Sequence, residues 1–298
     1  MTLTIWRLSD GKAGHDNQSR GLVAALSQRL PVNEHSLQVE HSRNAIWWWL
    51  TGHYLPGANL PAPDLLIGAG HRTHAHLLAA RRCYGGRSVV LMKPTLPRSW
   101  FDLCIVPQHD PIPPADNVLV TQGVLNHIRP GGRHDADIGL IAIGGPSRHF
   151  LWDNDAMFQQ VEQLLRQRPQ VHWSLTTSRR TPSALLERLC QQKNLTCIPF
   201  DDTHPDWWAE HLAEAGEVWV SRDSISMIYE ALSSGARVGL LAVPEKRFDR
   251  ISTAVERLID EGRVGAPGQW QAAMTPEPPL NEAAHCAHWM VRQWLNTV

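Results

Sequence analysis

Short apolar segments alternate with longer amphipathic segments along this chain, and that alternation restricts its fold more than any other feature. In the first half, "LTIWRL" and "PDLLIGAG" are each followed by a stretch with helical spacing, "QSRGLVAALSQRL" and "HRTHAHLLAARRCYG". Strands that alternate with helices are typical of a parallel sheet with helices on both faces. The sequence therefore predicts an α/β fold.

The alternation restarts after one polar, glycine-rich segment, "IRPGGRHDAD" (residues 128–137), which is the candidate linker. With 298 residues, the chain is long enough for two domains of ordinary size. We therefore predict two Rossmann-like domains, residues 1–132 and 133–277, that face each other across a cleft. The amphipathic segment at residues 278–298 is expected to form a helix that packs back on the first domain.

Composition narrows the class of protein. Hydrophobic residues make up 43% of the chain and charged residues 19%, as in soluble globular proteins, and the net charge of -1 predicts no nucleic-acid partner. The five cysteines form no C-x-x-C pair, which predicts reduced thiols in a cytoplasmic protein. No signal peptide, membrane-spanning run or metal-binding motif is recognisable, so neither a bound metal nor a cofactor is expected.

Two strand-to-helix turns of the second half are candidates for binding an anion. "IGGPS" contains Gly144 and Gly145, which allow close backbone approach, and the hydroxyl of Ser147. "TTSRRTP" places Ser178 and Arg179 before a helix, whose N-terminus favours negative charge. The alternatives are a plain strand–helix connection for the first turn, and helix capping by Ser178 or Thr181 with solvated arginines for the second.

The most informative stretch is "VSRDSISMIYEALSSGARVGLLAVP", which predicts a strand, a polar turn, a helix and a second strand. Serines at the helix start suit a diphosphate, and Glu230 lies one turn beyond Ser226, where a carboxylate can accept two hydrogen bonds from a ribose. The alternative is an N-cap at Ser221 or Ser224, with Glu230 as a solvated surface acid. The candidate donor-binding residues of this stretch are Ser221, Arg222, Ser224, Ser226, Met227 and Glu230.

This stretch resembles the donor-binding strand–helix–strand of GT-B glycosyltransferases, notably the peptidoglycan N-acetylglucosaminyl transferase. Together with "SDGKAGHDNQSRGL" and "GGPS", it resembles, over essentially the whole chain, a bacterial family named for mitochondrial fission after a plant relative. Members of that family are grouped with GT-B glycosyltransferases, and some are linked to lipopolysaccharide core assembly.

The resemblance implies a GT-B fold and a metal-independent transfer of sugar from a nucleotide-sugar substrate. The acceptor is expected to be a glycolipid or saccharide at the cytoplasmic face of the membrane. Asp10 and Lys12 depart from the glycine-richer first loop of the peptidoglycan enzyme, so the resemblance does not carry over the identity of the acceptor.

In this interpretation, the loop 10–18 faces the cleft from the first domain. Asp10, the preferred candidate, or His15 removes the proton from the acceptor hydroxyl. The remaining acceptor-side or phosphate candidates are Gly11, Lys12, Gly14, Gln18, His71 and Arg72. The alternatives are a polar turn with an aspartate cap for the loop 10–18, and a simple helix cap at Thr73 for the turn that holds His71 and Arg72.

The segment "NAIWWWLTGHYLPG" contains three consecutive tryptophans, Trp47, Trp48 and Trp49, which cannot all face one core. At least one is therefore expected to be exposed, and an aromatic cluster near Arg43 suits peripheral contact with a membrane. The alternative is packing against the domain or another subunit.

Two other functions remain open from the sequence: a nucleotide-sugar epimerase that needs no acceptor, and a catalytically silent scaffold that recruits a partner. An NAD oxidoreductase is disfavoured because no G-x-G-x-x-G motif follows the first strand.

Overall fold

The computed structural model describes residues 2–39, 42–246, 250–266, 268 and 278–295. The chain divides into two compact units. Unit 1 consists of Met1–His127 and Asn281–Val298, and unit 2 consists of Ile128–Leu280. The first domain is therefore discontinuous in sequence, and the chain passes between the units within the segments around residues 128 and 280.

Unit 1 is built on six parallel strands in the order β2-β1-β3-β4-β5-β6. The strands are β1 (Leu3–Ser9), β2 (Val32–Gln38), β3 (Leu65–Ala69), β4 (Arg87–Leu91), β5 (Leu103–Pro107) and β6 (Val118–Thr121). The helices of its first 127 residues are α1 (Ala13–Ser27), α2 (Ser42–Thr51) and α3 (His71–Tyr84).

The inner strands of the unit 1 sheet, β1, β3, β4 and β5, are buried on both faces, as expected for parallel strands covered by helices. Alternate residues of β1 enter different cores: Ile5 packs in the core that contains Leu22 of α1, and Trp6 packs in the core that contains Leu77 of α3. A buried Arg7 binds Asp16 of α1 and Glu34 of β2, with 2.6 Å to the latter carboxylate. These contacts fix the start of α1 against the sheet.

Unit 2 contains five parallel strands in the order β11-β10-β7-β8-β9. They are β7 (Asp135–Ile143), β8 (His172–Thr177), β9 (Leu195–Ile198), β10 (Ala215–Ser221) and β11 (Arg237–Leu241). Its helices are α4 (Asn154–Gln167), α5 (Ser183–Leu189), α6 (Trp207–Glu214), α7 (Ile225–Ser234) and α8 (Arg250–Asp260). Asp153 caps α4 by accepting from the amides of Asp155 and Ala156.

The last described elements, α9 (Glu282–Met290) and a π-helical turn (Val291–Leu295), belong to unit 1. Cys286, Ala287 and Met290 are fully buried in the same core as Leu22 and Leu26 of α1. The C-terminal helix therefore completes the hydrophobic core of the first domain.

Three sequence-based expectations need correction. First, α1 begins at Ala13, so most of the predicted loop 10–18 is helical. Second, the sequence reading assigned no helix to the segment that forms α6. Third, the prediction of reduced thiols is wrong for two cysteines, because Cys190 and Cys197 form a disulfide with Cα atoms 5.2 Å apart. In the described segments, no helix combines the length and the apolar character needed to cross a bilayer.

Candidate functional site

The sheet of unit 2 has a topological switch point between β7 and β10. From β7 the chain adds β8 and β9 on one side, and then returns to add β10 and β11 on the other. Ligands of open α/β sheets bind beyond the carboxyl ends of the strands at such a point. The residues at this place are Gly144 and Gly145 after β7, and the turn 222–224 between β10 and α7.

The glycine turn after β7 is packed against the turn after β10. The amide of Gly144 donates to Ser221 Oγ at 2.7 Å, and the amide of Gly145 donates to Asp223 Oδ2 at 3.0 Å. A Cβ on Gly144 would lie 2.1 Å from that carboxylate, and one on Gly145 would lie 2.2 Å from the carbonyl oxygen of Arg180. Both glycines are therefore required by neighbouring protein atoms, and both amides already have partners.

An arginine–aspartate pair connects the two turns. Arg180 donates to the carbonyl oxygen of Gly145 at 2.6 Å, to Asp223 Oδ2 at 2.8 Å and to Ser224 Oγ at 3.2 Å. The Asp223 side chain is completely buried, whereas that of Arg180 is 40% exposed. The pair therefore neutralises a buried carboxylate and leaves part of a guanidinium at the surface of the switch point.

The N-terminus of α7 also lies at this switch point. Ser224 is the N-cap residue, but no side chain caps the helix. The first amides of α7 therefore lack side-chain capping, a favourable arrangement for an anion. Ser226 is exposed and Met227 is half-buried in the first turn. The guanidinium of Arg222 instead forms ion pairs with Glu245 at 2.7 Å and with Glu256 at 2.5 Å.

Glu230 lies one turn after Ser226 on α7. Its exposure is only 8%, so the alternative of a solvated surface acid is wrong. The indole nitrogen of Trp208 on α6 donates to Glu230 Oε2 at 2.8 Å. This contact fixes the carboxylate on one side of the helix start.

Ser178 and Arg179 occupy the turn that follows β8. Ser178 Oγ accepts from the amide of Arg180 at 3.2 Å, and Thr181 Oγ1 donates to the carbonyl oxygen of Ile143 at 3.0 Å. Neither hydroxyl caps α5, whose N-cap residue is Pro182. The guanidinium of Arg179 lies 4.8 Å from the centre of the Phe200 ring. Arg180 is therefore the arginine of this turn that lies at the switch point.

Ser147 lies at the edge of a surface cavity of about 520 Å³ in unit 2. Its hydroxyl accepts from the amides of His149 and Phe150 at 3.2 and 3.3 Å. Its carbonyl oxygen accepts from Lys246 Nζ at 2.9 Å. The serine therefore shapes the segment after the glycine turn, and a lysine lies beside it.

Unit 1 has its own switch point between β1 and β3. After β1, His15 Nδ1 lies 3.0 Å from Asp10 Oδ2 and 3.1 Å from Oδ1. The Asp10 side chain is fully buried, and that of His15 is 17% exposed. When His15 Nδ1 donates its proton to this carboxylate, the Nε2 atom of the neutral ring is unprotonated and can accept a proton. The two alternative bases of the sequence interpretation thus form one hydrogen-bonded pair.

Gly70 at the end of β3 completes this arrangement. Its φ is +84°, and a Cβ there would lie 2.3 Å from the His15 ring. Close backbone approach is therefore needed at Gly70, which the sequence interpretation did not single out.

The other candidates of the loop 10–18 have more open surroundings. Gly11 has a φ of +76° with no atom near its Cβ position, and Lys12 and Gly14 are exposed, whereas Gln18 is buried.

The remaining candidates of unit 1 lie on α2 and α3. His71 and Arg72 are exposed in the first turn of α3. Trp47 and Trp49 are 66% and 42% exposed, which confirms that at least one tryptophan of the triplet faces solvent. Trp48 instead packs against Tyr54 and His76, with ring centres 5.4 and 5.9 Å away.

Residues 13–294 match the sequence model of a protein family described as Mitochondrial fission ELM1. The chain belongs to the ELM1 family. A full-length relative of the ELM1-family chain is the uncharacterized protein RP120 of Rickettsia prowazekii. The two are 22% identical, and the alignment covers 96% of this chain and 97% of the relative.

Solved structures of similar fold cover nearly all of the ELM1-family chain. S. aureus MnaA in complex with UDP has a TM-score of 0.57 and 14% identity, over 99% of this chain and 98% of that one. The UDP-GlcNAc 2-epimerase of Neisseria meningitidis, bound to UDP-GlcNAc, has a TM-score of 0.55 and 12% identity, over 100% of both chains. Phytolacca americana UGT2, with UDP-2-fluoro-glucose and pterostilbene, has a TM-score of 0.50 and 11% identity, over 97% and 90%. The ELM1-family chain therefore has a glycosyltransferase-like GT-B fold with two Rossmann-like units.

Besides Gly70, the sequence interpretation of this ELM1-family chain missed three residues of the candidate site: Arg180, Asp223 and Trp208. Arg180 stands beside Arg179 in "SRRTP", and the sequence could not tell which of the two arginines faces the switch point. Asp223 lies in the polar turn "SRDS", and its contact with the glycine turn is long-range. Within the described residues, no group of three or more His, Cys, Asp or Glu side chains is arranged to hold a metal ion.

Proposed function

We propose that this protein is a glycosyltransferase. It transfers a sugar from a nucleotide-sugar donor to a glycolipid or saccharide acceptor, such as a lipopolysaccharide core, at the cytoplasmic face of the membrane. The observation that carries the proposal is the switch point of unit 2, where Arg180 and the uncapped start of α7 lie beside a buried Glu230.

The donor's diphosphate is assigned to the N-terminus of α7. Helix amides, the Ser226 hydroxyl and the exposed part of Arg180 provide positive potential and donors there. Glu230 is assigned to the ribose hydroxyls, since a carboxylate accepts hydrogen bonds from both. The same groups stabilise the nucleoside diphosphate as it leaves, so the proposed transfer needs no metal ion.

Proton removal from the acceptor hydroxyl is assigned to His15, with Asp10 as the residue that positions it. The supporting observation is the order of burial in the pair, because the carboxylate is enclosed and the imidazole is partly exposed. A base that is oriented by a buried carboxylate is the arrangement used for activating hydroxyl groups. We expect His15→Ala to lower the rate of transfer about 100-fold or more without weakening donor binding.

Membrane contact is assigned to the exposed tryptophans of α2. Trp47 and Trp49 present large amphipathic rings to solvent, and such rings favour the interface of a bilayer. A glycolipid acceptor would lie at that interface.

Calorimetric titration with nucleoside diphosphates tests donor binding. UDP is the first probe because similar folds were solved with UDP or UDP-sugars, followed by GDP, ADP and the matching nucleotide sugars. Arg180→Gln should weaken binding of the preferred diphosphate at least tenfold, since it removes a charged hydrogen-bond donor. Arg188→Gln is the matched control, because this arginine is 43% exposed, close to the 40% of Arg180, and binds Asp155 on α4.

The outcomes separate the three functions. Binding that Arg180→Gln abolishes, together with acceptor-dependent release of the diphosphate, supports the transferase. Conversion of the nucleotide sugar at the same rate without any acceptor would instead identify an epimerase. Absence of binding by every nucleotide tested would favour the silent scaffold and overturn the proposal.

A further inference from the structure

An apolar groove opens on the surface of unit 1. Its volume is about 680 Å³, within the range of small-molecule sites. Its walls come from α2, α3 and the segment between β4 and β5. The apolar lining residues are Ile46, Trp49, Ala75, Leu78, Leu96 and Trp100.

Several of these side chains are unusually exposed for their type. Ile46 is 54% exposed, Trp49 42% and Trp100 50%. Leu50, one turn after Ile46 on α2, is 59% exposed and extends the apolar surface beyond the groove. Contiguous exposed apolar surface of this kind marks an interaction site.

Basic residues outnumber acidic ones in the part of the chain that forms the groove. Residues 44–101 contain one acidic residue, Asp64, and six basic ones, Arg72, Arg81, Arg82, Arg87, Lys93 and Arg98, and Asp102 directly after this segment pairs with Arg81. Asp64 lies before β3 and accepts from the amide of Thr4 at 2.8 Å, whereas α3 follows the other end of that strand. The guanidinium of Arg82 lies 5.0 Å from the centre of the Trp49 ring, so a positive charge sits directly at the groove wall.

The polar residues inside the groove carry no negative charge. His74 donates to or accepts from Thr95 Oγ1 at 3.1 Å, and Ser99 and His71 are the other uncharged or basic lining residues. Arg81, also in the lining, is paired with Asp102 at 2.8 Å. An apolar interior with a cationic rim complements an apolar molecule that carries an anionic group.

We propose that this groove binds a single hydrocarbon chain of an anionic lipid. The chain lies among Ile46, Leu78 and Trp100, and the anionic group lies at Arg82. The site goes beyond the proposed sugar transfer, since it involves unit 1 alone and needs no nucleotide. A lipid-linked acceptor is one molecule that would occupy it.

Titration with alkyl phosphates below their micelle concentration tests the proposal. Dodecyl phosphate should bind, and affinity should rise up to about fourfold for each methylene added between octyl and dodecyl phosphate. Inorganic phosphate and dodecyl maltoside should each bind at least tenfold more weakly than dodecyl phosphate, since each lacks one of the two recognised groups.

Two variants locate the chain. Ile46→Glu should weaken dodecyl phosphate binding more than tenfold, because it puts a negative charge in the groove at a position too exposed to disturb folding. Val120→Glu, at a site of unit 1 with 51% exposure, is the matched control and should bind like wild type. Ala75→Trp fills the groove and should also weaken binding more than tenfold.

A third variant tests the headgroup. Arg82→Gln should reduce the preference for dodecyl phosphate over dodecyl maltoside several-fold, whereas Arg20→Gln, on the exposed side of α1, should not. Equal binding by wild type and Ile46→Glu would overturn the proposal. Binding to anionic vesicles with no binding of soluble dodecyl phosphate would also overturn it, in favour of a flat membrane contact. Nucleotide titration of the same samples reports on unit 2 separately, so failure of one proposal does not resemble failure of the other.

Discussion

At the scale of single residues, the turn after β7 depends on the absence of a side chain. Gly144 faces the buried carboxylate of Asp223, and a Cβ there would lie 2.1 Å from its oxygen. Moving Asp223 would also disturb its bond to Arg180 at 2.8 Å. The absence of a side chain at Gly144 therefore lets the two turns pack together and keeps Asp223 in place to hold Arg180, the proposed phosphate-binding arginine.

We expect Gly144→Ala to lower the free energy of unfolding by roughly 1–3 kcal/mol, because the new methyl group overpacks a closed site. Nucleoside diphosphate binding should weaken in the same variant. Gly14→Ala is the comparison for stability, since no atom lies within 4 Å of its Cβ position in helix α1. That change should stabilise the protein by about 0.5–1 kcal/mol. Urea denaturation measures both; equal effects would contradict the packing argument.

His74 gives unit 1 a predictable response to acid. Burial, together with the nearby His71, lowers the pKa of His74 from 6.5 to about 4. Below pH 6.5 His74 is protonated in the unfolded chain, whereas in the folded chain it stays neutral down to about pH 4. The free energy of unfolding therefore decreases as the pH falls through this range. The shift in pKa corresponds to a loss of up to about 3 kcal/mol from the free energy of unfolding as the pH falls from 6.5 to 4.

The measurement is the free energy of unfolding of wild type and His74→Gln at several pH values from 7 to 4. The wild type should lose more stability on acidification than the variant, because the glutamine does not titrate. Parallel curves would show that His74 does not resist protonation in the folded state.

At the scale of elements, α2 explains why three consecutive tryptophans can occur in a folded domain. Successive residues of a helix point about 100° apart, so the triplet divides between solvent and core. Trp48 packs on Tyr54 and His76, whereas its two neighbours are exposed. This helix was left open in the sequence interpretation, because a tryptophan triplet fits neither a helical nor a strand period of hydrophobicity.

We expect Trp48→Ala to destabilise the protein by roughly 2–3 kcal/mol, since it removes a ring that packs between two aromatic side chains. Trp47→Ala, at the adjacent and mostly exposed position, should change stability by no more than about 0.5 kcal/mol. Thermal denaturation followed by far-UV circular dichroism compares the two variants. The reverse order of effects would show that α2 packs on a different face.

The elements that the sequence predicted well are those with an uninterrupted apolar run, such as β3 and β10, because a strand buried on both faces needs one. The start of α1 was placed too late, since "GKAGHD" has two glycines and reads as a turn, yet the helix begins at Ala13 with Lys12 as its N-cap residue. Side-chain partners were harder to predict. Arg180 and Asp223 are 43 positions apart, and no local pattern indicates that they meet. The disulfide was missed for a related reason, since cysteine spacing alone does not determine pairing.

At the scale of the whole molecule, unit 1 is assembled from both ends of the chain. Met290 of α9 is completely buried in the same core as Leu22 and Leu26 of α1. The last helix is therefore part of the first domain's interior.

Met290→Ala should destabilise unit 1 by about 2–5 kcal/mol through the cavity that it leaves. Hydrogen exchange followed by mass spectrometry should detect faster exchange in β1 and α1 than in the wild type. Arg292→Ala, at an exposed position of the following turn, is the control and should leave exchange unchanged. Unaltered exchange in α1 of Met290→Ala would contradict the assignment of α9 to this core.

The discontinuity of unit 1 has a consequence for how the protein is made. When the ribosome has synthesised β1 to β6, the nascent first domain still exposes the apolar side of α1 that α9 will cover. The whole of unit 2 must emerge before that surface can be closed. Completion of the first domain is thus a late event of biosynthesis. A nascent chain stalled before α9 would expose the hydrophobic surface of α1 to chaperones.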